Sequence, residues 1–170
     1  MTLTREQFND VREICLTEDT RYPVKAYVFV MEAIKRLYQE LLNPDSPFNK
    51  INPLAAIFGV DITPEEPDWD EETFDKVYPP VDLPPMRPIN IKGEFLSNYL
   101  GTFARRRFGP LAYDVLEAWN IHDTIDFGNI VFNLVKLEIL KQSKADSIED
   151  FKNVFDFKKE FVNRYKVNIY

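Results

Sequence analysis

The stretch TIDFGNIVFNLV, Thr124 to Val135, decides how this chain is read. Its apolar residues are Ile130, Val131, Phe132, Leu134 and Val135, and Leu137 follows. Asn129, Asn133 and Lys136 recur at helical spacing and make one narrow polar stripe. A helix apolar on most of its circumference belongs at the centre of a fold. The spacing therefore predicts a buried helix from Ile125 to Leu137, with Thr124 as its cap.

The same stretch contains Asp126-Phe127-Gly128, a triplet that protein kinases use to hold magnesium. That use requires a glycine-rich phosphate loop, a strand lysine and a catalytic-loop Asp and Asn beside it. The glycines at 59, 93, 101, 109 and 128 never cluster, so no such loop exists. The helical reading gives the triplet simpler roles. Asp126 suits the positive end of a helix dipole, Phe127 packs, and Gly128 permits close approach of a neighbour.

Working outward, the other helices follow. Thr4 and Gln7 have capping-box spacing, and Phe8, Val11, Ile14 and Cys15 make a stripe over Thr4 to Leu16. Pro23 opens a second helix, where a missing N–H costs nothing, with Tyr27, Val30, Met31, Ile34, Tyr38 and Leu41 inward. After Ile91, a third carries Phe95, Leu96, Tyr99, Leu100, Phe103 and Ala104, and ends near Phe108-Gly109. Pro110 starts a fourth with Leu111, Val115, Leu116 and Trp119. Beyond the central helix, Ile139-Leu140 and Phe151 to Phe157 read as a small hairpin, and Ser147 with Asp150 reads equally well as the cap of a helical turn. A last amphipathic piece carries Phe161 and Tyr165.

Residues 44–90 differ in texture. Ten of the twelve prolines lie there, removing donors and fixing φ. The acids from Asp61 to Asp82 outnumber the single base Lys76 nine to one, a local net of −8 in a chain whose total is −7. The rest is close to neutral. Within this insert Trp69, Phe74, Val77 and Tyr78 form an apolar set on an acidic background, which suits a partner's groove. The fold expected is a single mainly α domain over 1–170, compact, with five to six helices and this acidic insert. A small C-terminal β-hairpin would make its C-terminal half winged-helix-like.

Candidate chemistry is sparse. His122 is the lone histidine and Cys15 the lone cysteine, so a disulfide and a multi-cysteine zinc site are excluded. His122 sits in the short connection WNIHDT, where a turn role is expected over catalysis. The acid clusters Asp68/Asp70/Glu71/Glu72 and Asp146/Glu149/Asp150 lack the alternating ligands and central glycine of a calcium loop. No catalytic, cofactor or metal residues are assigned. The sharpest basic group is Arg105, Arg106 and Arg107, which with Lys136, Lys141 and Lys144 forms the candidate nucleic-acid contact. No apolar run is long enough to span a bilayer, and the polar N-terminus is not that of a signal peptide. A cytoplasmic protein is expected.

Several blocks carry a resemblance. RYPVKAYVFV (Arg21 to Val30), KGEFL (Lys92 to Leu96), FGPLAYDVLEAW (Phe108 to Trp119) and the block from Thr124 through DSIEDFKNVFDF are similar to a bacterial group of uncharacterised proteins, the Minf-type family. Asn120 stands where that family usually has Gly, Tyr99 and Gly101 replace a Gly and an Arg, and the insert is longer. The resemblance implies a bacterial, intracellular, self-standing domain and brings no mechanism. The function expected is therefore a non-catalytic interaction or regulatory module whose partner is another protein. A nucleic-acid-binding winged helix is the alternative, and an enzyme comes third.

Overall fold

The computed structural model describes residues 4–42, 91–141 and 146–165. These form helices α1 (Arg5–Thr17), α2 (Val24–Leu42), α3 (Gly93–Phe108), α4 (Ala112–Ala118), α5 (Thr124–Lys136) and α6 (Phe157–Phe161). Short 3₁₀ turns occupy Gly109–Leu111, Ile148–Phe151 and Asn163–Tyr165. The mainly α architecture expected from the periodicities is what the chain adopts. The insert with Trp69, Phe74, Val77 and Tyr78, and also Lys144, lies outside the described residues.

The helices begin where local chemistry puts them. At α1, Thr4 Oγ1 accepts from the Gln7 N–H at 3.2 Å, and Gln7 Oε1 accepts from the Thr4 N–H at 3.0 Å. At α5 the cap is Asp123, one residue before the Thr124 expected. Thr124 is instead fully buried in the first turn, and its hydroxyl oxygen accepts from the Val154 N–H at 3.2 Å. The helix thus gives up a threonine cap to anchor the C-terminal segment.

Helices α2, α3 and α5 each pack on the other two and enclose the core, with α1 laid on α2 and α4 on α3. Phe29 of α2 sits at the junction of α3 and α4, its ring centroid 5.4 Å from Phe103, 5.8 Å from Phe108 and 5.7 Å from Trp119. Two expected core residues are outside: Phe8 on α1 and Leu111 are 42% and 62% exposed. Leu111 is displaced because Gly109–Leu111 is a 3₁₀ turn, so α4 starts at Ala112 and the helical register moves.

The hairpin expected after α5 is not shown, and no strand occurs among the described residues. Its alternative forms: Ser147 Oγ accepts from the Glu149 N–H, and Asp150 accepts from the Ser147 N–H, both at 3.2 Å, starting the turn Ile148–Phe151. That turn lies on α3 and α5. Phe151 enters a notch made by two glycines. A Cβ on Gly128 would fall 2.8 Å from its Cγ, and one on Gly93 would fall 2.6 Å from its Cε2. Phe155 covers Gly101 in the same way, at 2.8 Å from Cζ. Phe155, Phe157 and Phe161 then pack together with centroids 5.1 to 5.9 Å apart, Phe155 stacked on Phe157 and Phe161 edge-on to both.

Helices α3, α4 and α5 each end through a residue of positive φ, at Gly109, Asn120 and Glu138. After α4, Asn120 has φ 59°, and the N–H groups of Asn120 and Ile121 bond to Glu117 O and Leu116 O, each at 2.9 Å. Asparagine tolerates this conformation, which otherwise favours glycine. Its side chain adds a function that glycine lacks, donating to the Arg21 carbonyl at 2.8 Å.

Candidate functional site

The polar residues of α5 and the corner between α1 and α2 meet in one network. Asp126 is its hub. One carboxylate oxygen accepts from the backbone N–H of His122 at 2.9 Å and of Asp123 at 3.1 Å, and the other accepts from the Tyr22 hydroxyl. One turn on, Asn129 donates to the Tyr22 hydroxyl at 3.0 Å. One more turn on, Asn133 donates to Tyr27 Oη and to Asp19 Oδ2, both at 2.9 Å. Arg21 grips Asp19 with two bonds, at 2.7 and 2.8 Å, and its guanidinium lies 5.0 Å from the Tyr22 ring centre. Lys136 finishes the row on Glu18.

The electrostatics follow from these contacts. The hydrogen bond from Arg21 holds the Asp19 carboxyl below the usual aspartate range, against the opposing effect of burial. Its ionised form supports the fold above that range, and this support is lost as pH falls through the lowered value. Burial pushes the Tyr22 hydroxyl up, and it pushes Tyr27 up to about 12. These phenols stay protonated, as donors and acceptors in a fixed network. Asp126 already accepts from three donors, so its carboxylate is committed to structure. The arrangement clamps α5 to the corner.

The basic residues singled out from the sequence do not make one open face. Arg105 reaches Glu160 of α6 and donates to Thr102 Oγ1 at 3.0 Å. Arg107 pairs with Glu32 of α2, and Lys136 with Glu18. Arg106 lies near the buried Glu40 and acts on it through its charge. Lys141 is exposed, and Lys144 is outside the described residues. Three acids therefore answer three of these cations from other helices or corners. The Arg105 side chain is 9% exposed and that of Arg107 is 44% exposed. Arg105→Ala is expected to lower unfolding free energy by about 2 kcal/mol, since it strips a largely buried pair. Arg107→Ala should change it by less than about 0.5 kcal/mol, and chemical denaturation of the two variants checks the contrast.

His122, the leading catalytic candidate, is on the surface. Its side chain is 52% exposed, and Nδ1 lies 2.9 Å from Glu117 Oε1. It borders a cleft of about 310 Å³ with Asp123, Asn153, Phe155, Asp156 and Phe157. Among the described residues no hydroxyl or thiol nucleophile lines this cleft. Asp156 is committed to the start of α6, accepting from the Lys159 N–H at 2.9 Å. Asp123 accepts from the Thr124 hydroxyl at 3.2 Å. Cys15 lies on α1, half-buried, and burial pushes its thiol up, away from the reactive thiolate. Among the described residues no group of three or more His, Cys, Asp or Glu is placed to hold a metal ion, and no helix is long and apolar enough to cross a membrane.

One polar group escaped the sequence reading. Glu40 falls on the inward stripe of α2 with Ala33 and Leu37, and is 1% exposed. Tyr99 of α3 donates to its Oε1 at 3.2 Å. The available signal was an acid at apolar spacing, four residues after Arg36 and three after Leu37.

Compared with protein-family models, curated proteins and solved structures, the chain matches none.

Proposed function

We propose that the chain is a non-catalytic interaction or regulatory module, acting in the cytoplasm of a bacterial cell on a protein partner. One observation carries this reading: the groups with chemical capacity in the helical body are bonded to one another. Asp126 accepts three donors, Asn129 and Asn133 bridge to Tyr22, Tyr27 and Asp19, and Arg105 and Arg107 are paired with acids. A body held this way serves as a rigid support. The recognition element is the acidic segment from Asp61 to Asp82, with Trp69, Phe74, Val77 and Tyr78 as its apolar contacts. Aromatic groups on an acidic background suit a groove with basic edges. The resemblance to the Minf-type family agrees with a self-standing intracellular domain.

The test uses the full chain and a variant lacking residues 61–82. The full chain should capture one protein stoichiometrically, with binding confirmed on the purified pair, and the shortened variant should lose it by at least about tenfold. Trp69→Ala with Phe74→Ala should reproduce most of that loss. Equal capture by the full and shortened chains would overturn the role of the segment. Retention on DNA or RNA that falls steeply with salt, and weakens in an Arg107→Ala/Lys141→Ala variant, would favour the nucleic-acid-binding, winged-helix-like alternative.

A further inference from the structure

We propose that Glu40 is a proton-operated latch on the seam between α2 and α3. Protonated, it lets the end of α2 lie sealed against Tyr99. Ionised, it draws water to a bare oxygen and loosens the seam.

The geometry is that of a carboxyl group placed where a leucine would be expected. Leu37 and Ala33, one and two turns before it on the same stripe, are fully buried, and Glu40 is 1% exposed. Its Oε1 is satisfied by the Tyr99 hydroxyl. Its Oε2 is buried and has no hydrogen-bond partner among the described residues. A buried polar atom without a partner is uncommon in a folded protein, and an ionised one is far costlier than a neutral one. Tyr99 cannot swing to cover both oxygens, because its ring is itself buried and stacks on Phe103 with a 15° interplanar angle.

Among the described residues, three titratable or charged groups face Glu40. Tyr99 and Arg106 come from α3, and Arg36 from the preceding turn of α2. Arg106, Arg36 and the Tyr99 hydrogen bond all favour the carboxylate, yet burial outweighs them and pushes Glu40 up to about 7 from an ordinary 4.5. The sign follows directly. The closed seam holds its proton more tightly than open chain does, so closure is fully favoured below the ordinary glutamate value. It weakens as pH rises from there and levels off once the carboxyl is ionised, above about 7. A neutral interior therefore sits at the top of the response, and modest acidification tightens the seam.

The experiment is amide hydrogen exchange on the full chain at pH 5 and pH 8, corrected for the intrinsic pH dependence of exchange. Protection at Leu37 to Leu41 and at Leu96 to Leu100 should fall by roughly tenfold or more between these pH values, with α5 much less affected. In Glu40→Gln, which keeps size and removes the charge, that fall should vanish. A carbon-13 NMR titration of the Glu40 carboxyl in the native chain should show a midpoint near neutrality, and in Tyr99→Phe the midpoint should move up. This titration decides the matter even if Glu40→Gln proves hard to fold. A midpoint at the ordinary glutamate value, or an equal loss of protection in Glu40→Gln, overturns the proposal. Neither outcome touches the partner reading, whose test is the loss of capture when residues 61–82 are removed.

Discussion

Asp126→Ala is expected to cost about 3 kcal/mol of unfolding free energy, one of the two largest effects foreseen for this chain. The substitution removes a carboxylate that accepts from Tyr22 Oη and from the N–H groups of His122 and Asp123. The two N–H groups lie at an exposed connection, and water replaces part of what they lose. Tyr22 is different. It is 1% exposed, so its hydroxyl would be left as a donor without an acceptor deep in the fold. Tyr22→Phe removes that orphan donor but strands Asn129, and should cost about 1.5 kcal/mol. The double variant should cost less than the two single changes together, by about 1 kcal/mol or more. Urea denaturation of the four proteins gives the cycle. A loss under about 0.5 kcal/mol for Asp126→Ala would show that the hub does not hold the corner.

The second large effect is at Gly128. In an open helix interior, Gly→Ala gains about 1 kcal/mol from helix propensity. Here the new methyl carbon would fall 2.8 to 3.0 Å from Cγ, Cβ and Cδ2 of Phe151. That ring is 4% exposed and also rests on Gly93, so it has no free direction in which to retreat. Overpacking of this kind costs about 1 to 3 kcal/mol for one methyl group. With three contacts at or below 3.0 Å the cost falls at the top of that range, so Gly128→Ala should lose about 2 kcal/mol net, and Gly128→Val more. Gly101→Ala meets the far edge of the half-exposed Phe155 ring, which can yield, and should be close to neutral. Phe151→Ala, itself destabilising, removes Cγ and the ring but keeps Cβ at 2.9 Å, so Gly128→Ala should cost less on that background than in the native chain. If Gly128→Ala is stabilising in the native chain, Phe151 is not seated as described.

These two residues also mark how far the sequence could be read. Asp126 was legible as an acid in the first turn of a buried helix, and Gly128 as a point of close approach. Local chemistry carried that much, as it did the Thr4–Gln7 capping box. Their partners were not legible, because Tyr22 lies 104 residues from Asp126 and no local rule names it. The stripe of Asn129, Asn133 and Lys136 was visible for the same reason. Solvent was its natural partner on periodicity alone, and the α1–α2 corner covers it instead. Thr124 misled because threonine is a good cap, yet its hydroxyl was needed by Val154. The hairpin and the capped turn were equal readings of residues 139–157, and the Ser147–Asp150 box takes the second in the residues described. Glu40 was passed over because an acid near a helix end reads as solvated.

The α1–α2 corner has a consequence for how the molecule is made. Asn133 reaches Asp19 across 114 residues of chain, and Tyr22 reaches Asp126 across 104. Translation produces the corner early and its clasp late. Until α5 emerges, α2 has only the preceding helices to pack on and the side of the core that α5 closes stays open, and until Phe151 follows, the notch between Gly93 and Gly128 stands empty. Until then the nascent chain carries exposed hydrophobic surface, the condition under which holding chaperones act and misassembly begins.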